Sequence, residues 1–384
     1  MQASVNNPPT EHRWLRRFTY VVIFATFVLI AIGGKVTSFE YGMAIPEGWT
    51  TGGWLSFLAP FEYWFHDTDK FWEHTHRIKG SVVGMLTVGM AVWLWVTQRH
   101  RPWLQWMGVA MLLMVCFQGF MGATRVDLNS LFVAFVHGIG GQLILCGWVL
   151  VAAALSKPWL VRLGAINKSK RDHATTTLRW AVRVLFVLLI AQLTLGSAVR
   201  HFKADKPAPD FPTMLGHMLP PMSQESLDER YIEFHSERMG LSPDESGIIN
   251  RSPQGEIVVK LSQVDLHFAH RLGAVLVCMV GFYVIITTMR RSGDRSIVLA
   301  PALIVLGLFS TQFALGVFTV LSETDPFMAT LHQATGAVLI AASTWLAVRI
   351  HLAEYTPATR KADVVNIQTI APPQPTPKRT PVTV

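Results

Sequence analysis

Three stretches of this chain, Phe18–Gly34, Leu131–Ser156 and Leu185–Val199, contain no aspartate, glutamate, lysine or arginine. Within lipid every backbone polar group must be satisfied inside the segment, and a helix of about 20 apolar residues does this while crossing the hydrocarbon core. Other segments follow the same pattern, and together they predict helices near 17–36, 76–98, 103–124, 130–155, 177–199, 264–289, 298–321 and 327–351. A soluble domain carries about a quarter charged residues, whereas this chain carries 15%. The expectation is an all-α integral membrane protein of eight transmembrane helices.

The charges between the spans give an orientation. Arg13, Arg16 and Arg17 precede the first helix, and Arg99 and Arg101 join the second to the third. Lys157, Arg162, Lys168, Lys170 and Arg171 join the fourth to the fifth, Arg290, Arg291 and Arg295 the sixth to the seventh, and Arg349, Arg360 and Lys361 follow the eighth. Alternate connections are thus basic, which predicts that they and both termini are cytoplasmic. Topology therefore explains the net charge of +8, and no nucleic acid partner is expected. The first run is too long for a signal peptide and lacks its cleavage pattern, so it is read as a retained helix. The expected location is a bacterial inner membrane. Cys116, Cys146 and Cys278 all fall inside apolar runs and form no CxxC motif, so they are read as buried small apolar side chains.

The sequence repeats itself. His76-Arg77 recurs as His270-Arg271 and Gln118-x3-Gly122 as Gln312-x3-Gly316, both 194 residues later. Ala134-x2-His137-x3-Gly141 recurs 195 residues later as Ala329-x2-His332-x3-Gly336. Gly33-x2-Val36 matches Gly196-x2-Val199 at an offset of 163, as Pro46 matches Pro209 and Glu47 matches Asp210. Four helices is an even number, so both copies cross in the same direction. The expected arrangement is two tandem four-helix bundles related by a pseudo-two-fold axis along the membrane normal. Residues 1–174 form the first bundle, 175–362 the second, and 363–384 a disordered Pro-rich cytoplasmic tail. Two outer connections, roughly 37–72 and 200–262, are long, and the second is expected to hold a short helix around 223–239.

His76, His137, His270 and His332 each begin a helix running from outside to inside, which sets all four at similar depth toward the outer face. An ionisable residue in a membrane helix is costly and marks a functional candidate. Zinc would want three or four converging ligands, and neither half supplies them. Two neutral imidazoles facing each other across a four-helix bundle suit a haem iron with both axial positions filled. The pairs are His76 with His137 and His270 with His332. Gly80, Gly84, Gly138, Gly140 and Gly141 leave room for a flat macrocycle. Arg77 and Arg271 follow a proposed ligand and suit either haem propionates or snorkelling to the interface. Glu73 lies three residues before His76 on the same helical face, and its counterpart is His267. A carboxylate beside one pocket alone points to different jobs for the two, unless it is merely a surface pair with Arg77. His267 is a weaker ligand candidate than His270, and His74, His201 and His235 are expected on the outer surface.

Glu73-x2-His76-Arg77, the segment Gly33-Gly34-Lys35-Val36-Thr37-Ser38 leading to Gly42-Met43-Ala44-Ile45-Pro46, and the duplicated His and Gln-x3-Gly pattern together resemble the haem A synthase family. The resemblance runs from about residue 17 to 350. It implies an enzyme that oxidises the C8 methyl group of haem O to a formyl group, giving haem A for terminal oxidases. It also implies that His76 and His137, with Arg77 beside them, hold the substrate haem O, while Glu73 acts at the reacting edge. His270 and His332 would then ligate the iron of a haem b cofactor. The implied partners are a haem O synthase and an electron-transfer protein, and a homo-oligomer is compatible with this reading. Some members carry cysteine pairs in the outer loops, which this chain lacks, and Pro46-Glu47-Gly48-Trp49 stands where the family more often has Pro-Asp-Trp-Pro. From the residues alone, a dihaem electron carrier and a haem transporter or chaperone without chemistry remain as alternatives.

Overall fold

The computed structural model describes residues 13–157, 159, 173–240, 258–291 and 295–353. The tail expected over 363–384 and much of the basic connection after the fourth span lie outside the described residues. Among the described residues ten α-helices follow one another: α1 Arg13–Ser38, α2 Phe61–Trp64, α3 Thr68–Thr97, α4 Pro102–Asp127, α5 Leu131–Ala154, α6 His173–His201, α7 Gln224–Met239, α8 Leu261–Arg291, α9 Arg295–Leu321 and α10 Pro326–Ala353. Eight of these are long and apolar enough to cross a membrane. They are the expected spans, most of them extended by a few residues. The exception is α3, which starts eight residues early. Asp67 caps it, its carboxylate accepting from the amides of Asp69 and Lys70 at 3.0 and 3.2 Å. The helix therefore rises out of the apolar zone, and Glu73 and His76 become part of a rigid rod rather than of a loop.

Other ends obey the same local chemistry. Pro102 opens α4, where its missing N–H costs nothing. Ser130 caps α5 through the amide of Val133, and Asp325 caps α10 through those of Phe327 and Met328. The short helix α7 runs from its Ser223 cap to Gly240, which takes the left-handed conformation at φ +66° that suits glycine. It matches the helix expected near 223–239.

The spans close into two rings. In the first, α1 packs on α3, α3 on α4, α4 on α5 and α5 on α1; in the second, α6 packs on α8, α8 on α9, α9 on α10 and α10 on α6. The rings meet where α1 and α5 touch α10 and where α5 touches α6. Large apolar side chains point outward, among them Phe117, Phe120, Met279, Leu303 and Ile304, as a lipid solvent requires. Among the cysteines only Cys146 is buried; Cys278 is partly buried and Cys116 is exposed, and all three are free.

Each ring is filled at one end. Leu15, Val22, Met90, Leu94, Leu104, Met111, Trp148 and Val151 form the apolar core of the first, from the beginning of α1 and α4 and the end of α3 and α5. The second is filled likewise by Leu178, Leu185, Val284, Ile285, Val298, Val305, Leu346 and Ile350, joined by Cys146. The histidines lie at the opposite end, the one expected to be outer, under the long connections. The second connection folds on a small core of its own, with Leu227 of α7 packed among Ala208, Met214, Leu215, Val259 and Val264.

Candidate functional site

At the outer end each of the four histidine rings rests on a glycine of a neighbouring helix. A Cβ added to Gly33 on α1 would lie 2.8 Å from Cε1 of His76, and one added to Gly122 on α4 would lie 3.2 Å from Cε1 of His137. The second ring of helices repeats this, with Gly196 on α6 at 2.9 Å from His270 and Gly316 on α9 at 3.1 Å from His332. These are the glycines that the repeat aligned. Ordinary carbon contacts begin near about 3.5 Å, so any larger residue would push the imidazole from its place.

His76 on α3 and His137 on α5 stand on helices that are diagonal in the first ring, and His270 on α8 and His332 on α10 are diagonal in the second. Gly80 and Gly84, one and two turns below His76, face open space. Gly138, Gly140 and Gly141 do not: they pack against Ser197, Gln118 and Ile30 respectively. Thus two of the five glycines leave room beside a ligand, and the other three serve helix packing.

The donor set fits a haem. Among the described residues no group of three or more His, Cys, Asp or Glu side chains could hold a bare metal ion. Nδ1 of His76 and of His137 is buried without a hydrogen-bond partner. Two imidazoles on diagonal helices, with glycines beneath them, offer iron two axial ligands and little else.

Glu73 is buried, 3% exposed, under the first outer connection. Its Oε2 accepts from the Ile45 amide at 2.9 Å and its Oε1 from Arg77 Nη2 at 2.7 Å. The ion pair with Arg77 therefore exists but is not a surface pair: the side chains are 13% and 4% exposed. Arg77 also donates to the carbonyls of Glu47 and Thr50, both at 2.6 Å, and of Ile45 at 3.2 Å. Arg271 does the same in the second half, donating to the Thr213 carbonyl at 2.7 Å and the Ala208 carbonyl at 2.8 Å. Ile45 and Ala208, like Thr50 and Thr213, are separated by the same 163 residues that relate the first and fifth spans. Both arginines thus clamp their outer connection over a histidine pair. Sequence alone did not suggest these partners, because they are backbone oxygens presented by loop conformation.

The remaining histidines divide. His267 is buried and accepts from Arg271 Nε at 3.3 Å, which gives it a protein partner distinct from the ligand position. His74 is not on the surface: it is fully buried, stacks on Trp64 at 4.4 Å and meets Thr51 Oγ1 at 3.2 Å. The folding of residues 51–64 over α3 covers it, which helical spacing could not foretell. His201 lies partly buried where the two rings of helices meet, near Gly138. His235 is partly buried against Tyr231 in the second outer connection, where burial and the nearby Arg238 hold it below its ordinary pKa.

Comparison with known proteins agrees with this geometry. The chain is 25% identical over 376 residues to "Heme A synthase" of Erythrobacter litoralis, covering 90% of this chain and 99% of that one. It is 25% identical over 366 residues to the protein of that name from Novosphingobium aromaticivorans, covering 87% and 94%. It is 22% identical over 335 residues to the one from Halalkalibacterium halodurans, covering 85% and 94%. The profile of the cytochrome oxidase assembly protein family, COX15-CtaA, matches residues 16–344, and the chain belongs to that family.

Proposed function

We propose that this protein is a haem A synthase, which oxidises the C8 methyl group of haem O to a formyl group for oxidase assembly. The observation that carries the reading is the difference between two otherwise matched sites: a buried carboxylate, Glu73, stands one turn from the first imidazole pair, and a histidine, His267, holds that place in the second. Two equal haem sites would suit an electron carrier. One with a buried anion and one without suit a substrate and a cofactor.

In this reading His76 and His137 hold haem O as substrate, and His270 and His332 hold haem b. The two bundles, 1–174 and 175–362, are related by a pseudo-two-fold axis along the membrane normal. That relation is supported by the matched clamps of Arg77 and Arg271 and by Arg200, whose Nη2 donates at 3.0 Å to the carbonyl of Thr37, its own counterpart at offset 163. Both termini are cytoplasmic and the sites face the periplasm of a bacterial inner membrane.

The overall change, methyl plus water to formyl, releases four protons and four electrons, so a mobile acceptor must take the electrons. When bound, haem b supplies an iron centre that passes them on. The chain does the rest. The Ile45 amide and Arg77 orient the Glu73 carboxylate, with one lone pair on each oxygen still free. An anion fixed at that depth stabilises positive charge as it develops on the oxidised carbon, at no cost in reorganisation. Arg77 and Arg271 bind the outer connections over the sites and exclude bulk water. Their guanidinium ends are largely taken up by the protein, so their main task is this closure rather than propionate binding.

The test is co-expression with a haem O synthase, followed by chromatography of the extracted haems. Haem A beside haem b supports the synthase. Haem b alone, with haem O present in the membranes, contradicts it and leaves the electron carrier or the haem chaperone.

A further inference from the structure

In the first ring of helices the histidines come from one diagonal, α3 and α5, and the glycines that seat them come from the other, Gly33 on α1 and Gly122 on α4. Arg125 of α4 spans that second diagonal on the side of the long connections. It stands three residues beyond Gly122, and its Nη2 donates at 2.7 Å to the carbonyl of Gly42, just past the end of α1. A Cβ on Gly42 would run into this nitrogen, with Cζ of Arg125 at 3.3 Å and Cγ1 of Val36 at 3.4 Å. Val36 itself stands three residues beyond Gly33. The guanidinium therefore lies about one helical turn above both seats, over the first histidine pair.

This cation is not used up by the protein. Among the described residues only its Nη2 has a hydrogen-bond partner, a carbonyl, and it forms no ion pair. Arg77 is taken by Glu73 and three carbonyls. The second half differs at the same place. In the Gln-x3-Gly register Arg125 corresponds to Thr319, whose hydroxyl bonds back to the Leu315 carbonyl of its own helix at 2.7 Å. At the offset of 163 Gly42 corresponds to Asp205, whose carboxylate accepts from Arg200 Nη1 at 2.9 Å. A closed ion pair thus stands in the second half where the first presents a guanidinium with free N–H groups.

We propose that Arg125 binds a propionate carboxylate of the haem held by the first histidine pair, a contact that the second site has no residue to make. The inference rests on the haem reading above and deepens it. A macrocycle ligated from α3 and α5 turns its faces to those helices and its rim to α1, α4 and the two ends of the bundle. The far end of this ring is filled by Leu94, Met111, Trp148 and Val151, where a carboxylate would be buried without a partner. The propionates therefore belong at the end where Arg125 lies. A guanidinium offers a carboxylate two parallel N–H groups, which fixes orientation as well as adding affinity. On the porphyrin rim the C8 methyl is next to the propionate on C7. Holding that propionate at Arg125 brings the reacting methyl to the edge where Glu73 lies, one turn beyond His76.

The test uses purified full-length protein carrying haem b, titrated with haem O and with haem O dimethyl ester, whose propionates are uncharged. The readout is the growth of a second bis-imidazole spectrum over that of the haem already bound. Wild type should bind the acid about 10–150-fold more tightly than the ester. Arg125→Gln keeps an N–H for the Gly42 carbonyl but removes the charge. It should lose most of that preference by weakening the acid, while ester affinity and haem b content stay at wild-type values. Equal affinity of wild type for acid and ester would overturn the inference without any variant. So would an Arg125→Gln protein that keeps the full preference, or one that loses acid and ester in equal measure, as a purely structural arginine would. If wild type bound neither form, the haem reading of the first site would itself fall, so the two failures are distinguishable.

Discussion

Gly196→Ala should expel the haem of the second half while leaving the fold intact. A Cβ at this position would lie 2.9 Å from Cε1 of His270 and 3.6 Å from both ring nitrogens. Ordinary carbon contact needs at least about 3.5 Å, so the ring must retreat by roughly 0.6 Å. Metal–ligand distances tolerate only about 0.2 Å. The ring has no free direction, because Gln192 holds its Nδ1 and its carbonyl. Overpacking of this kind costs about 1–3 kcal/mol, which lowers haem affinity about 5–150-fold if it falls on the bound state. Gly316→Ala, with 3.1 Å to His332, should do less, and Gly33→Ala, with 2.8 Å to His76, should act on the first site instead. Gly307→Ala is the control, since nothing lies within 4 Å of its Cβ. The assay is haem content per chain by pyridine haemochrome, with thermal unfolding measured in parallel. Full haem b in Gly196→Ala, at the level of Gly307→Ala, would refute the claim that glycine seats the ligand.

Glu73→Gln should leave both haems bound and abolish formyl formation, read as haem A in extracted pigment; normal haem A would remove Glu73 from the chemistry. Arg77→Ala should destabilise the protein more than Arg271→Ala. Both lose charged bonds to carbonyls, Arg77 to three and Arg271 to two, at about 1.5–3 kcal/mol each, and the first alone also strands the buried Glu73 carboxylate, at about 3–5 kcal/mol. Unfolding in denaturant should rank them in that order, and the reverse ranking contradicts the buried ion pair. Asp210 gives a pH dependence. Burial would raise its pKa, but hydrogen bonds from the Gly216 amide, the Thr213 hydroxyl and the Leu215 amide outweigh it and hold the carboxyl below its usual range. Stability from a depressed carboxyl is present above its unfolded value and lost as pH falls through the folded one. Hydrogen-exchange protection at Leu215 and Gly216, corrected for intrinsic rates, should persist at pH 5 and fail only below about 3.9. Loss of protection between pH 7 and 5 would contradict this.

The spans were legible because lipid imposes one rule on every helix, and the repeat registers located the histidines and all four glycines that seat them. What lay beyond reach depended on loops. His74 is buried because residues 51–64 fold over it, and Arg77 and Arg271 find carbonyls whose direction is set by turns, not by spacing. The start of α3 was missed because its first turns are polar, and the signal there was Asp67 as a cap.

The central claim is that imidazoles on diagonal helices hold two haems, one pair in each ring of helices. Extracted haems should be quantified from wild type and from a His270→Ala/His332→Ala variant expressed with a haem O source. The double variant should lose its haem b and keep haem O on His76 and His137. A colourless wild type, or a variant with the same haem b as wild type, would contradict the assignment.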